Sequence, residues 1–161
     1  YSAHAIPPAA QASREERPLP YWRLFYHIVW ATRNRESLIT SGLEAVVWAA
    51  VRQAAERHGG RVHAVGGVAD HVHLLVSIPP SIPVATAVGR IKGASARWVN
   101  QQHPGDPVFG WQAEYGVVSV SEENVTAIAR YVEEQAAHHA DQRLWPALEL
   151  DGPPSPQRGG R

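Results

Sequence analysis

Two histidines separated by one residue, His71 and His73, lie in the largely apolar run 69–76. In a β-strand, residues i and i+2 point to the same face, so both imidazoles would project in one direction from a rigid element. Two ligands for one metal ion need this arrangement. The alternative is a pair of strand histidines that bind nothing, because the motif is short and the chain contains nine histidines.

A tyrosine and a glutamine lie four residues apart in a second segment, far along the chain. The stretch from about Glu122 to His139 predicts an amphipathic helix, because apolar residues recur at helical spacing: Val125, Ile128, Val132 and Ala136. Tyr131 and Gln135 share one face of this helix, at the margin of the apolar stripe. A side chain there can reach a site at the edge of a sheet. The alternative is a Tyr ring packed inward and an exposed Gln.

The elements that must position these residues alternate regularly along the chain. The sequence predicts strands at 21–32, 61–68, 71–78 and 114–120, and helices after the first strand, after the third strand and over 122–139. The order β-α-β-β-α-β-α predicts an α+β fold, the ferredoxin-like split βαβ sandwich. Its antiparallel four-stranded sheet would carry an added C-terminal helix with Tyr131.

Several motifs in this order resemble the single-tyrosine HUH transposases of small insertion sequences, which are related to the REP-associated tyrosine transposases. His71-Val72-His73 is similar to the His-hydrophobic-His motif, and Tyr131 to Gln135 is similar to the nucleophile helix. Residues 26–35, 90–98, 109–116 and 119–121 resemble the family's first strand and basic loop, second helix and entry to the last strand. The resemblance runs from about Tyr21 to Trp145.

The resemblance implies an enzyme that cleaves and rejoins single-stranded DNA. Tyr131 would attack a phosphate and become joined to the 5′ phosphate, leaving a free 3′ hydroxyl. Because the phosphotyrosine keeps the phosphodiester bond energy, no nucleotide-binding loop is needed. The chain contains no Gly-x4-Gly-Lys-Ser/Thr motif, which agrees with this expectation.

The resemblance also implies a divalent metal ion, Mg²⁺ or Mn²⁺, held by His71, His73 and Gln135. This ligand set is softer than Mg²⁺ prefers, so Mn²⁺ is expected to bind better in vitro. Zinc is the competing candidate, but no third His or carboxylate lies at an evident zincin spacing. Asp70 is either a turn residue or an acceptor that orients His71. His138 and His139 are either solvent-facing residues or neighbours of the metal, and His27 is expected to be structural.

The expected partner is single-stranded DNA, with hairpins near the cleavage site as in the family. Arg33 and Arg35 after the first strand, and Arg90, Lys92 and Arg97 along one helix, are the candidate DNA-binding residues. The better-known family members divide the active site between two subunits, so we expect a homodimer with possible shared active sites. The sequence leaves open whether the Tyr131 helix docks in its own chain or in a partner.

Composition and charge limit the remaining possibilities. The 161 residues suggest one domain over 21–150, between flexible tails at 1–20 and 151–161. The net charge is zero, but residues 21–103 hold nine basic and four acidic residues, whereas residues 104–151 hold two and nine. A cationic half could follow phosphates, although the same pattern is ordinary for solvated helix surfaces. No membrane span or signal peptide is evident and cysteine is absent, so a cytoplasmic location fits.

Two other functions remain possible from sequence. A non-catalytic nucleic-acid-binding domain of the same fold would need neither a metal nor the Tyr131 hydroxyl. A histidine-metal hydrolase would cleave DNA without becoming attached to it.

Overall fold

The computed structural model describes residues 21–105 and 107–152. The predicted tails at 1–20 and 151–161 fall outside these residues, apart from Asp151 and Gly152. The described chain forms four strands, β1 to β4, five α-helices, α1 to α5, and two short 3-10 helices at Arg33–Arg35 and Glu122–Asn124. Their bounds are β1 Phe25–Ala31, α1 Glu44–Arg57, β2 Arg61–Val68, β3 His71–Ser77, α2 Val84–Gln102, β4 Gly116–Val120, α3 Val125–Glu133, α4 Gln135–Ala140 and α5 Pro146–Glu149.

The four strands form one sheet in the order β2-β3-β1-β4, and every neighbouring pair is antiparallel. This is the strand order of the ferredoxin-like split βαβ plan, so the predicted fold class is confirmed. The histidine strand β3 lies inside the sheet, paired with β1 on one side and with β2 on the other. The hydrogen bonds to both neighbouring strands fix the register of β3, and with it the direction in which each β3 side chain points.

The two sheet faces bury different layers of the core. Val72, Leu74 and Val76 of β3 pack against α1 and α2. Leu75 packs on the opposite face in a second cluster that includes α3 and α5: Phe25, Val120, Ile128, Tyr131, Val132 and Leu148. We call this second side the site face, because alternation along β3 places His71 and His73 on it.

Two glycines on the site face let backbone segments approach the sheet closely. A Cβ on Gly66 of β2 would collide with the carbonyl oxygen of Val132 in α3, and a Cβ on Gly116 of β4 would collide with the carbonyl oxygen of Leu150. Gly66 lies opposite His73 in the β2–β3 register, and Gly116 lies opposite Val29 of β1. The missing side chains therefore permit α3 and the segment after α5 to close over the histidine strand from both sides.

The last predicted helix is divided into two. α3 ends at Glu133, Glu134 has φ −98° and ψ 19°, and α4 begins at Gln135, so the expectation of one continuous helix over 122–139 is wrong. No Pro or Gly lies in the break. Both helices pack against β2, so tertiary packing overrides the local helical preference there.

Candidate active site and metal centre

The His71 and His73 side chains are both buried on the site face, and their ring centroids lie 5.1 Å apart. The shared direction expected from the His-x-His spacing is present. Each ring is held by its Nδ1 atom. His71 Nδ1 donates to Asp70 Oδ1 at 2.7 Å, and a 2.9 Å hydrogen bond joins His73 Nδ1 to Nε2 of His27 in β1. These bonds leave both Nε2 atoms for a further ligand.

Asp70 and His27 are thus positioning residues, each acting through a neighbouring imidazole. Of the two expectations for Asp70, the structure supports the acceptor that orients His71. His27 was expected to be structural, and it is buried and paired with the second histidine of the motif. Its pairing could have been suspected from sequence, because β1 and β3 are neighbours in the expected sheet order.

Tyr131 lies beside the histidines of its own chain. Its ring is 6.3 Å from the His73 ring, in an edge-to-face arrangement, and it is stacked between His138 at 4.8 Å and Trp145 at 5.0 Å. Its hydroxyl donates to Glu149 Oε1 and accepts a 3.0 Å hydrogen bond from the backbone N–H of Trp145. A single chain therefore brings the phenol and the imidazole pair together.

Glu149 links the phenol to the imidazoles. While Oε1 accepts from Tyr131, Oε2 lies 3.6 Å from the Nε2 atoms of three histidines: His71, His73 and His139. His139 Nε2 is also 3.2 Å from His71 Nε2. The four ligand atoms of His71, His73, His139 and Glu149 all lie within 4.8 Å of one another.

Burial and the neighbouring groups together set the pKa values of Tyr131 and Glu149. Burial raises the pKa of Tyr131, and the hydrogen bond to Glu149 raises it further. Burial alone would raise the pKa of Glu149, but the neighbouring His71 and His73 side chains and the hydrogen bond from Tyr131 hold it far below its usual range. Glu149 is therefore a carboxylate, and Tyr131 is a neutral phenol in this arrangement.

The pKa shift of each site histidine depends on how many carboxylates it faces. Burial lowers the pKa of His71, but Glu149 and Asp70 together outweigh it and the net shift is upward. Burial lowers the pKa of His73, and Glu149 offsets this only in part. His27 is neutral, since burial and the neighbouring His73 lower its pKa to about 3. The site thus combines a charged carboxylate with His27 and His73, whose pKa values are lowered, and with His71, whose pKa is raised; a metal would bind the neutral form of an imidazole.

Four buried side-chain polar atoms have no hydrogen-bond partner among the described residues, and two of them belong to proposed metal ligands: His73 Nε2 and Gln135 Oε1. Gln135 is fully buried, and its Nε2 donates to the Tyr131 carbonyl at 3.3 Å. An unsatisfied buried acceptor is costly, and a cation would satisfy both atoms. The chemistry of these donors therefore fits a divalent metal ion.

The structure corrects the degree of exposure expected for Tyr131 and Gln135. Tyr131 and Gln135 were placed at the margin of the apolar stripe, but they are 2% and 0% exposed. The cause is the chain beyond α4, because Trp145, Leu148 and Glu149 cover the phenol from the solvent side. A helical projection of residues 122–139 contains none of this covering segment.

The candidate DNA-binding residues fall into two groups in space. Arg33 and Arg35 follow β1; Arg35 pairs with Asp70 at 3.2 Å and with Asp151 at 2.7 Å, whereas the Arg33 guanidinium lies against Gly110. Arg90 and Arg97 are exposed on α2, which packs on the sheet face opposite the site. Lys92 donates to the carbonyls of Ala113 and Glu114 at 2.9 and 3.0 Å. The α2 residues are therefore not gathered at the histidines.

Two site residues carry little or no signal in the sequence. His139 is four residues after Gln135, so its helical face was visible and its involvement was left open. Glu149 was not proposed at all, since it lies beyond the last predicted helix and reaches the site through the fold of residues 141–148. The statement that no third His or carboxylate has a zincin spacing holds for the linear sequence. Folding nevertheless supplies both groups.

A ferredoxin-like sheet with two histidines, a tyrosine and a glutamine on one face is the arrangement expected of a tyrosine transposase. The family model described as Transposase IS200 like matches residues 20–135. The chain belongs to this family.

Curated and solved relatives agree with the family assignment. The chain is 29% identical to the ISDra2 transposase TnpA of Deinococcus radiodurans over 119 residues, covering 71% of this chain and 85% of that protein. It is 28% identical to the transposase for insertion sequence element IS200 of Salmonella typhimurium over 144 residues, covering 86% and 91%.

Two solved structures share the fold. A crystal structure of a candidate transposase from Deinococcus radiodurans superposes with a TM-score of 0.58 at 28% identity, covering 74% of this chain and 97% of that one. A REP-associated tyrosine transposase bound to a REP hairpin superposes with a TM-score of 0.54 at 12% identity, covering 89% and 98%. None of the helices in residues 21–105 and 107–152 has the length and apolar character to cross a membrane.

Proposed function

We propose that this chain cleaves and rejoins single-stranded DNA through a 5′-phosphotyrosine intermediate on Tyr131. The observation that carries the proposal is the Tyr131 hydroxyl, which lies against the same carboxylate that faces the His71 and His73 Nε2 atoms. We further propose that residues 21–150 are the single transposase domain and that the protein acts in the cytoplasm.

The reaction exchanges one phosphodiester for another. The phenol oxygen of Tyr131 attacks phosphorus and a Tyr–O–P bond forms, while the bond from phosphorus to the 3′ oxygen breaks. The phenol proton passes to Glu149 Oε1, which already accepts it in a hydrogen bond. The departing 3′ oxygen takes up a proton and leaves as a hydroxyl. In the reverse direction a 3′ hydroxyl attacks the phosphotyrosine, so no external energy source is needed.

We propose that His71, His73 and Gln135 hold a divalent ion, Mn²⁺ or Mg²⁺. This proposal is supported by two buried atoms without a hydrogen-bond partner, His73 Nε2 and Gln135 Oε1, together with the His71 Nε2 atom at the site. When bound, the ion neutralises charge that builds on the phosphate oxygens. Asp70 and His27 keep the two Nε2 atoms directed at the site.

We propose that DNA meets the protein on two surfaces. Arg33 and Arg35 lie at the site edge and would hold the strand being cleaved, whereas Arg90, Lys92 and Arg97 on α2 would contact a hairpin stem away from the cleaved phosphate. This division is supported by the ion pair between Arg35 and Asp70, the neighbour of His71, and by the packing of α2 on the sheet face opposite the site. A hairpin is the DNA form bound by the REP-associated neighbour.

The experiment that tests this function looks for a protein–DNA adduct that survives denaturation. Wild-type protein is incubated with Mn²⁺ and a pool of single-stranded oligonucleotides, each labelled at either the 5′ or the 3′ end. We expect the 3′ label to become attached to protein and the 5′ label to be released with a free 3′ hydroxyl.

The matched variants are Tyr131→Phe, which removes the nucleophile, and Tyr26→Phe, which makes the same change on the opposite sheet face. The adduct should vanish in the first and persist in the second. An adduct that survives Tyr131→Phe contradicts the proposal. Cleavage without any attached protein would indicate a metal hydrolase, and binding without cleavage would indicate a non-catalytic DNA-binding domain.

We propose a homodimer on the strength of the family resemblance, and a complementation test shows how its sites are divided. Tyr131→Phe and His73→Ala are each expected to be inactive alone. Because Tyr131 lies against the histidines of its own chain, mixing the two variants should restore no adduct. Recovery in the mixture would show that the Tyr131 helix docks on the partner when DNA is cleaved.

A further inference from the structure

We infer that His139 and Glu149 complete a four-ligand metal site with His71 and His73, and that this closed site is selective for zinc and holds the enzyme inactive. The inference deepens the proposed function, because the same histidine pair serves the catalytic ion. It adds a second ligand set, in which His139 and Glu149 take part in place of Gln135.

The distances between the ligand atoms agree with a tetrahedral ion. At a Zn–N or Zn–O distance of about 2.0–2.1 Å, neighbouring ligand atoms of a tetrahedron lie about 3.3–3.4 Å apart. Glu149 Oε2 is 3.6 Å from the Nε2 atoms of His71, His73 and His139, and the Nε2 atoms of His71 and His139 are 3.2 Å apart. Four of the six edges thus match within a few tenths of an ångström, and the remaining two are below 4.8 Å.

The surrounding residues hold the ligands in place. Asp70 and His27 bind the Nδ1 atoms of His71 and His73, so their Nε2 atoms are the ones presented. The Glu149 segment is anchored by the buried Leu148 and by the contact of Leu150 with Gly116. Asp151, two residues further, accepts hydrogen bonds from Arg35 and Gln112 at 2.7 and 3.1 Å. The carboxylate is therefore positioned by the fold rather than by a flexible loop end.

The ligand set distinguishes zinc from the proposed catalytic ions. Three imidazoles and one carboxylate suit Zn²⁺ better than Mg²⁺, and the ordinary affinity order places Zn²⁺ above Mn²⁺. A tetrahedral zinc ion with four protein ligands has no open position for a phosphate oxygen. It also engages Glu149, the residue that would otherwise accept the Tyr131 proton. Zinc should therefore inhibit cleavage that Mn²⁺ supports.

The first test measures zinc affinity without DNA, by competition with a chromophoric chelator on metal-free full-length protein. We expect His139→Ala and Glu149→Ala to weaken zinc binding at least about 100-fold, since even residues that only orient ligands cost about 10–100-fold. The controls are His103→Ala and Glu133→Ala, which remove the same groups from exposed positions outside the cluster and should bind zinc as wild type does. Equal zinc affinity in wild type, His139→Ala and Glu149→Ala would overturn the inference.

The second test needs no variant. X-ray absorption at the zinc edge of the wild-type complex should show four nitrogen or oxygen ligands near 2.0 Å, three of them imidazoles. A spectrum with two imidazoles, or with five or six ligands, overturns the four-ligand site.

The third test connects zinc to activity and separates this inference from the proposed function. Added zinc should suppress the Mn²⁺-dependent adduct of the wild-type protein. An adduct in Mn²⁺ that zinc does not diminish overturns the closed site and leaves the transposase function standing. Tight zinc binding that depends on His139 and Glu149, with no adduct in Mn²⁺ on any oligonucleotide, would remove the proposed function and leave the four-ligand site standing.

Discussion

Replacing Gly66 by Ala should separate the tyrosine from the histidines without touching either. The Gly66 Cβ would face the Val132 carbonyl of α3, one residue after Tyr131, and Gly66 lies opposite His73 in the sheet. Cβ atoms essentially never approach within 3.0 Å of such an atom, and this one would lie about 1 Å closer than that. The Cβ position is fixed by the Gly66 backbone and the atom it meets is a backbone carbonyl oxygen, so no side-chain rotation can relieve the collision.

The magnitude follows from the displacement. A misplacement of about 1 Å at a reacting group can cost about 100-fold in rate, so we expect Gly66→Ala to slow adduct formation by roughly that factor. Overpacking at a sheet–helix contact also costs about 1–3 kcal/mol in the free energy of unfolding. In a chain of this size, that corresponds to a Tm lower by about 2–12 °C, at roughly 2–4 °C per kcal/mol.

The assay compares single-turnover adduct formation and thermal unfolding of Gly66→Ala with those of Gly93→Ala. Gly93 lies in α2, and a Cβ there meets nothing within 4 Å. This control should keep the wild-type rate and gain about 0.4–1 kcal/mol, because Ala is the better helix former. A folded Gly66→Ala protein that forms adduct at the wild-type rate would refute the argument that this close approach positions Tyr131.

Three further predictions follow from the contacts around the site. Asp70→Asn should weaken divalent-metal binding about 10–100-fold, because it removes the carboxylate that orients His71. Asp141→Asn, an exposed change outside the site, should leave metal binding unchanged, and a metal titration of both variants tests this. The pKa of His27, which faces His73 and Glu149, is about 3 in the folded protein and 6.5 ordinarily, so the unfolded chain takes up the proton first as pH falls. In metal-free protein this difference should lower the free energy of unfolding by about 2 kcal/mol between pH 6.5 and 5. Denaturant unfolding of His27→Asn should therefore show a flatter pH dependence than that of the wild type. Arg97→Gln should weaken hairpin binding at all sequences and reduce the salt slope by about one, whereas Arg57→Gln on α1 should leave both unchanged in a fluorescence titration.

The fold could be predicted from the sequence because its signals are local and periodic. The branched and aromatic run of β1, the hairpin between β2 and β3, and the helical spacing in α1 and α2 each specify their element without information from elsewhere. The His-x-His spacing then fixes a shared face, since alternation along a strand is a property of the backbone. Tyr131 and Gln135 came from the family resemblance, and their helical spacing placed them together on one face.

The remainder of the site depends on where the chain travels after α4, and no periodic pattern encodes that path. Glu149 reaches the histidines because Leu148 is buried beside α3 and because Gly116 admits the Leu150 backbone. The break at Glu134 likewise has no Pro or Gly to announce it and results from packing on β2. Spacing in the sequence therefore identifies site residues that share one strand or helix. It misses residues such as Glu149, which only tertiary packing brings to the site.

The way in which Tyr131 is held has a consequence for the order of events in catalysis. Its ring is stacked on His138 and Trp145, and its hydroxyl donates to a carboxylate; burial and that hydrogen bond raise the pKa of Tyr131, so this arrangement stabilises the neutral phenol. A phosphate must therefore displace at least one of the contacts from Trp145 and Glu149 before attack. Because Glu149 accepts the phenol proton in the proposed reaction, the contact expected to give way is the hydrogen bond from the Trp145 N–H to the attacking oxygen. The fraction of molecules in which that contact has opened then multiplies directly into the rate of cleavage.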